Sequence, residues 1–284
     1  MEVVLNNFEI FKLKKAGLTY LQVNKVLAYR EKTGKSLSLR NIAVVSETSK
    51  PTLFMEQYKA LDVKSCREEF NRFPSFSILD KVYPQALKEI YNPPTLLFYQ
   101  GNLELLDYPK LAVVGTRNAS KTGVQSVQKL IKELDNRFVI VSGLARGIDT
   151  AAHIASLKNG GKTIAVIGTG LSHTYPKENH QLQRYIAKNH LLLSEYYPDQ
   201  PALKYHFPER NRIIAGLAGG VLVAEAKMRS GSLITCERAL EEGRDIFAVP
   251  GSILDGKSDG CHHLIQEGAK CVVSGFDILS EYQG

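Results

Sequence analysis

Tryptophan is absent from this 284-residue chain, methionine occurs three times and cysteine four times. The cysteines (Cys66, Cys236, Cys261 and Cys271) form no CxxC pair, which excludes a thioredoxin-type motif. No second pair closes a tetrahedral site around Cys261-His262-His263 and Cys271, so no metal is expected. A reduced cytoplasm is the compartment that such cysteine usage fits. No apolar run reaches the ~20 residues of a membrane span. The longest, Ile213 to Ala224, is broken by three glycines. Glu2 and Glu9 replace the apolar core of a signal peptide. There is no GxxxxGK[ST] phosphate loop and no GxSxG nucleophile elbow, which removes those two reaction classes.

What is present reads as globular. Hydrophobic residues are 44% and charged residues 23% of the chain, and 13 Tyr and 11 Phe supply aromatic area for a core. Lys plus Arg is 36 against 29 for Asp plus Glu, a formal charge of +7 that suits an anionic partner. The excess is uneven: residues 1–75 hold 13 basic and 8 acidic side chains, residues 76–284 hold 23 and 21. An anion bound by the larger part must therefore be met by local clustering.

Residues 1–72 read as short helices, with Gly17 breaking the first, Thr19 capping the second and Pro51 in the first turn of the fourth. A packing or dimerisation cap is preferred over a nucleic-acid contact, because no helix shows a continuous basic stripe. Residues 73–109 are a Pro- and aromatic-rich connector with an edge element at Thr95–Tyr99. From 110 to 284, short apolar runs (111–114, 138–141, 163–167, 190–194, 220–224, 246–249, 271–273) alternate with amphipathic segments (120–134, 149–158, 178–188, 207–217, 231–242, 259–267). The runs lack polar alternation, as strands buried on both faces do. The pattern predicts an α/β, Rossmann-like, doubly wound, mostly parallel sheet with a small N-terminal all-α domain. Right-handed crossovers then bring all the strand ends to one edge, where ligands bind.

Those ends carry the chemistry. Gly115-Thr116-Arg117 follows the first strand and Ser142-Gly143-Leu144-Ala145-Arg146-Gly147-Ile148-Asp149 the second, each opening a helix whose N–H groups favour an anion. Asp149 reads as a cap or as an orienter of Arg117 or Arg146. Gly168-Thr169-Gly170 after the third is no dinucleotide fingerprint: His173 stands where the third glycine belongs, and the helix starts only after Pro176. The fourth loop presents Lys204, Phe207, Arg210, Asn211 and Arg212, cations interleaved with a ring, as a single strand requires. Taken alone, a solvated helical turn with Phe207 in the core explains this segment as well. The fifth loop adds Lys227, Arg229 and Ser230-Gly231-Ser232. Glu195 and Glu225 are expected to hold Arg210 or Arg212.

These motifs strongly resemble the DprA (Smf, DNA-processing protein A) family, in its streptococcal or related Gram-positive form. They are Gly115-Thr116-Arg117, the segment Ser142–His153, Val166–Gly170 with Tyr175-Pro176, Phe207–Ile214, Arg229–Thr235, Pro250-Gly251-Ser252 and Ser258–Ile265, with Pro94–Asn102 in the connector. The resemblance spans about residues 70–280, and the helical front end fits the family's sterile-alpha-motif-like module. It implies a recombination mediator that binds incoming single-stranded DNA in natural transformation, protects it and loads RecA onto it, as a homodimer without a cofactor. Many members add a C-terminal winged helix; the chain stops at Gly284, so that contact is not expected here. Carried over, the DNA pocket comprises Gly115, Arg117, Gly143, Lys177, Lys204, Phe207, Arg210, Asn211 and Arg212. Dimer or RecA contacts fall on Leu240, His262, Ile265, Gln266, Glu267 and Cys271, for which ordinary helix surface and core is the bland alternative. Two other functions stay open: a nucleotide or phosphoribosyl hydrolase using Glu225 and Ser230–Ser232, and a scaffold that only recruits protein.

Overall fold

The computed structural model describes residues 2–282. The front of the chain folds as β1 (Glu2–Val3), α1 (Asn7–Lys15), α2 (Tyr20–Thr33), β2 (Leu37–Ser38), α3 (Leu39–Val45), α4 (Pro51–Ala60) and α5 (Val63–Phe70). Local chemistry sets these ends. Asn6 accepts from the Glu9 amide to cap α1, and Thr19 and Gln22 form a reciprocal capping box on α2. Gly34 closes α2 at φ +64°. Pro51 opens α4, where its missing N–H costs nothing. Two elements depart from the sequence reading. The β1–β2 pair adds a two-residue antiparallel ladder, and α5 is an additional helix whose polar sequence buries little beyond Cys66.

The connector supplies β3 (Ser75–Ser77), α6 (Gln85–Lys88) and β4 (Leu96–Gly101). The rest alternates as expected: β5 (Lys110–Val114), α7 (Lys121–Glu133), β6 (Val139–Ser142), α8 (Ile148–Lys158), β7 (Thr163–Ile167), α9 (His180–Asn189), β8 (Leu191–Ser194), α10 (His206–Leu217), β9 (Gly220–Val223), α11 (Gly231–Glu241), β10 (Asp245–Ala248), α12 (Asp259–Gln266), β11 (Lys270–Cys271) and α13 (Gly275–Leu279). The nine strands pair in the order β11-β10-β9-β5-β6-β7-β8-β4-β3. All pairings from β11 to β8 are parallel, and β4 and β3 add antiparallel at one edge. The order reverses between β5 and β9, a topological switch point that opens a crevice beyond the strand ends.

Both sheet faces are buried, which is why the strand sequences lack polar alternation. Ala112 and Val114 pack with Ile213, Ile214 and Leu217 of α10 and Leu233 of α11 on one face. Leu111 and Val113 pack with α7 and α8 on the other. That second face continues under the N-terminal helices: Phe11 meets Phe98 of β4 at 6.1 Å and Tyr197 at 5.2 Å, edge to face. The helical segment is thus fastened by a shared aromatic core.

Candidate nucleic-acid interface

The crevice at the switch point is a groove of about 640 Å³. Its lining comes from the end of β5, the loops that follow β6, β7 and β8, and the N-terminal parts of α10 and α11: Gly115, Arg117, Lys204, Phe207, Arg210 and Asn211 all face it. A smaller hollow of about 180 Å³ adjoins it and adds Gly143. Residues about 95 positions apart in sequence therefore meet at one place. Both glycines are required by close approach. A Cβ on Gly115 would lie 2.6 Å from Ile148 Cγ1 and 2.8 Å from the Glu225 carbonyl, and one on Gly143 would strike the Arg210 guanidinium.

The groove is cationic at its mouth and aromatic on its wall. Arg117 and Lys204 are exposed, and the Arg117 guanidinium lies 5.3 Å from the centre of the half-buried Phe207 ring. Tyr175 stands against Phe207 with centroids 5.2 Å apart. Asn211 Nδ2 donates to the Gly231 carbonyl at 3.3 Å, tying α10 to the start of α11. That start has no side-chain cap; Ser230 and Ser232 bond each other through their hydroxyls at 2.8 Å, which leaves its amide end open to an anion.

The neighbouring helix ends are already answered by carboxylates. Glu225 takes the Ser120 amide at 3.1 Å and the Ser120 hydroxyl at the start of α7. It holds no arginine, contrary to the sequence expectation. Asp149 accepts from the amides of Gly143 at 3.1 Å and Ala145 at 3.4 Å, so it closes its own loop and orients neither Arg117 nor Arg146 by hydrogen bond. Burial pushes the Asp149 carboxyl up, opposed by Arg210 and these amides. The loop is tight: Leu144 sits at φ +56° with its side chain buried, and Asn179 Nδ2 holds its carbonyl at 2.8 Å.

Three of the expected residues stand apart from the exposed lining of the groove. Arg212 does not reach the groove. It lies on the opposite side of α10, bonded to Glu195 at 2.5 Å, with its guanidinium 4.6 Å from the Tyr20 ring of α2. Two residues along a helix turn a side chain by about 200°, so Arg210 and Arg212 cannot share a face. Lys177 is exposed in a 3-10 turn beside Pro176 and lines neither cavity. Arg210 does line both, but as a buried floor, 3% exposed, with Nη1 donating to the Val166 carbonyl. Burial pushes its guanidinium down, opposed by the nearby Asp149 charge.

Tyr175 and Ser230–Ser232 were absent from the expected set and line the groove. Their signal was already in the strand-end loops: hydroxyls and a glycine at a helix start for Ser230–Ser232, and the Tyr175-Pro176 motif. The expected partner residues lie elsewhere. Leu240 is 59% exposed and with Glu267 lines a hollow of about 320 Å³ at the far end of α11. Cys271 is exposed on the edge strand β11, and Gln266 is exposed on α12. Ile265 is partly buried against the core, and His262 bonds the Gly251 carbonyl at 3.1 Å. Among the described residues no group of His, Cys, Asp and Glu is placed to hold a metal, and no helix is long and apolar enough to cross a membrane.

A family model described as DNA recombination-mediator protein A matches residues 75–283, and one described as the DNA processing protein A sterile alpha motif domain matches residues 5–66. The DNA processing protein DprA of Streptococcus pneumoniae is 64% identical over 279 residues, covering 98% of this chain and 99% of that protein. DprA of Bacillus subtilis is 52% identical over 206 residues, 72% of this chain and 69% of that one. The X-ray structure of the S. pneumoniae protein superposes with a TM-score of 0.97 over 98% of this chain and 99% of that one. A structure of DNA processing protein A from Helicobacter pylori, described for its single-stranded DNA binding mode, superposes with a TM-score of 0.67 at 31% identity, over 74% of this chain and 96% of that one.

Proposed function

The chain belongs to the DNA recombination-mediator protein A (DprA) family, and on that premise we propose that it is a non-enzymatic mediator that holds single-stranded DNA in the groove between β5 and β9. The observation that carries the reading is the convergence of Arg117, Lys204, Phe207, Arg210 and Asn211 from separate loops onto one crevice. Exposed cations meet phosphates without regard to sequence, and a ring face accepts any base. The open start of α11 adds backbone donors for a phosphate. The H. pylori relative, described for single-stranded DNA binding, supports the choice of ligand.

In this reading the protein works in the cytoplasm during natural transformation, shields incoming DNA and loads RecA onto it. The dimer and RecA contacts fall at the far end of α11 and on α12 and β11, around Leu240, His262, Ile265, Gln266, Glu267 and Cys271. The eleven residues of α11 span about 16 Å, which separates that surface from the DNA groove and lets both be engaged together. Residues 1–72 act as a packing module, 73–109 as a connector and 110–284 as the DNA-binding domain.

A gel shift with a dT oligomer and the matching duplex at two salt concentrations tests the core claim. Preference for the single strand, weakened by salt, is expected; equal affinity for both, or none at low salt, rejects it. RecA-dependent strand exchange on DNA pre-coated with single-strand-binding protein tests loading, with stimulation expected.

A further inference from the structure

The larger part of the chain carries little net charge, but that charge is unevenly placed. Residues 117–190 hold 11 basic and 4 acidic side chains, and the rest of 76–284 holds 12 and 17. The basic segment is α7 to α9. Three successive right-handed crossovers lay these helices on one face of the sheet, opposite α10 and α11. Of the three, α7 starts at the groove: Arg117 lines the groove and the small hollow beside it, Asn118 lines the hollow, and Ser120 caps the helix.

From Arg117 to Lys132 there is no acidic residue. At about 100° per residue, the exposed Lys121, Gln125, Gln128 and Lys132 share about 60° of arc and Lys129 flanks them, while Val127, Leu130 and Ile131 face the core. The stripe runs about 16 Å down from the groove mouth. A helix face that is only solvated carries both signs in i,i+4 pairs. This one carries a single sign and amides, the side chains that follow a phosphate chain. Of its lysines only Lys129 is in an ion pair among the described residues, with Glu133 at 3.8 Å, and it also donates to the Val273 carbonyl at 3.0 Å. Glu133, the first acid, accepts from the Gly275 amide at 2.7 Å. These bonds fix α13 to the end of the stripe, and its next residue, Phe276, is 65% exposed.

We propose that the exposed face of α7 is a track for the flanking nucleotides of the strand held in the groove, with Lys121 and Lys132 on phosphates and Phe276 as a stacking ring at its far end. The inference rests on the single-strand reading above. It gives the strand a direction: out over Asn118 and down α7, rather than past Pro176 and down α9. The α9 side offers a poorer start, since Lys177 lines neither cavity and the exposed Glu178 carboxylate stands beside it.

The test compares a six-nucleotide and a twenty-four-nucleotide labelled dT oligomer by fluorescence anisotropy between 50 and 200 mM salt. The short strand occupies the groove alone and the long one reaches the track. Lys121→Gln with Lys132→Gln is expected to flatten the slope of log K against log salt by about 1.4 on the long strand, at about 0.7 for each phosphate contact, and to leave the short strand unchanged. Phe276→Ala is expected to weaken the long strand about tenfold and to spare the short one. Arg184→Gln with Lys188→Gln removes the same charge from exposed positions on α9 and is expected to move neither slope. The proposal is overturned if the α7 variant keeps the native slope on the long strand, or if both lengths flatten alike. It is equally overturned if the α9 variant flattens the long-strand slope as much, which would make the effect a field of the whole face. In each of these cases a short strand that still binds leaves the groove reading intact. A short strand that does not bind, beside a long one that does and responds to Lys121 and Lys132, rejects the groove and keeps the α7 site. Binding of neither rejects both.

Discussion

Arg210 and Arg212 stand two positions apart on α10, and both are buried, yet the helix turns them to unlike surroundings. Arg212 faces the N-terminal helices and is answered by protein: Glu195 takes its Nη2, and the Tyr20 ring lies beside its guanidinium. Lys14 of α1 joins the same junction, donating to the Glu195 carbonyl at 3.4 Å. Arg210 faces the groove and is answered only by one carbonyl and a nearby carboxylate. One arginine joins two parts of the chain, and the other lines the groove. Residue type and motif do not separate these roles; what separates them is place, since Arg212 pairs with the Glu195 carboxylate at the junction with the N-terminal helices and Arg210 lines the groove.

The largest expected effect tests the Arg212 side. Arg212→Ala leaves Glu195 buried and unpaired, which costs about 3–5 kcal/mol of stability. The urea midpoint is expected to fall steeply, while the affinity of the remaining folded protein for a dT oligomer holds. Arg212→Met with Glu195→Leu is expected to recover most of the loss. Unchanged stability with lost affinity would put Arg212 back in the groove and erase the contrast.

A second effect comes from below the groove. His153 is fully buried, and Thr163 Oγ1, whose own proton goes to the Ile140 carbonyl, accepts from its Nδ1. Burial, assisted by the Arg210 charge, takes its pKa down to about 3. The unfolded chain binds this proton near pH 6.5 and the native fold refuses it, so stability is full above that pH and falls as pH drops toward 3. Going from pH 6.5 to 5 costs about 2 kcal/mol from this group. Urea titrations of native protein and His153→Asn should diverge in slope over that window; parallel slopes would show that burial does not hold His153 neutral.

The sheet was legible because strands buried on both faces leave uninterrupted apolar runs, and those of β5 and β7 stand within a residue of where they were expected. The helical periodicity also held the Arg210–Arg212 distinction, since Phe207, Arg210 and Ile214 share a stripe that Arg212 leaves. What it lacked was the far partner: that Glu195, closing β8, waits under Arg212, and that Glu225 is drawn to Ser120, are facts of crossover geometry. Helix α5 was hidden for another reason. It is mostly polar, and its apolar stripe, though at helical spacing, is thin: Val63, Cys66 and Phe70.

On the groove side, Phe207→Ala is expected to cost about 1–3 kcal/mol of single-strand affinity if the ring carries a base. The ring is half-buried against Tyr175 and Arg117 at the cavity wall, so thermal unfolding should move less than binding does. A variant that loses stability and keeps its affinity would make Phe207 a core residue, as Arg212 is a structural one.

The smallest effect separates cations that share a charge and differ in place. Arg117 lines the groove and Lys177, exposed nearby, does not. Each phosphate contact adds about 0.7 to the slope of log K against log salt for a single strand. Arg117→Ala should therefore flatten that slope by about 0.7, a change of two- to threefold in affinity between 50 and 200 mM salt. Lys177→Ala should leave the slope where it was, because a lysine off the path of the strand contributes only a screened, long-range field. Equal flattening by both would mean that the strand leaves the groove past Pro176 and runs over the 3-10 turn. The path of the DNA would then extend beyond the crevice on that side, and the division of α10 into a ligand face and a structural face would describe only its first few nucleotides.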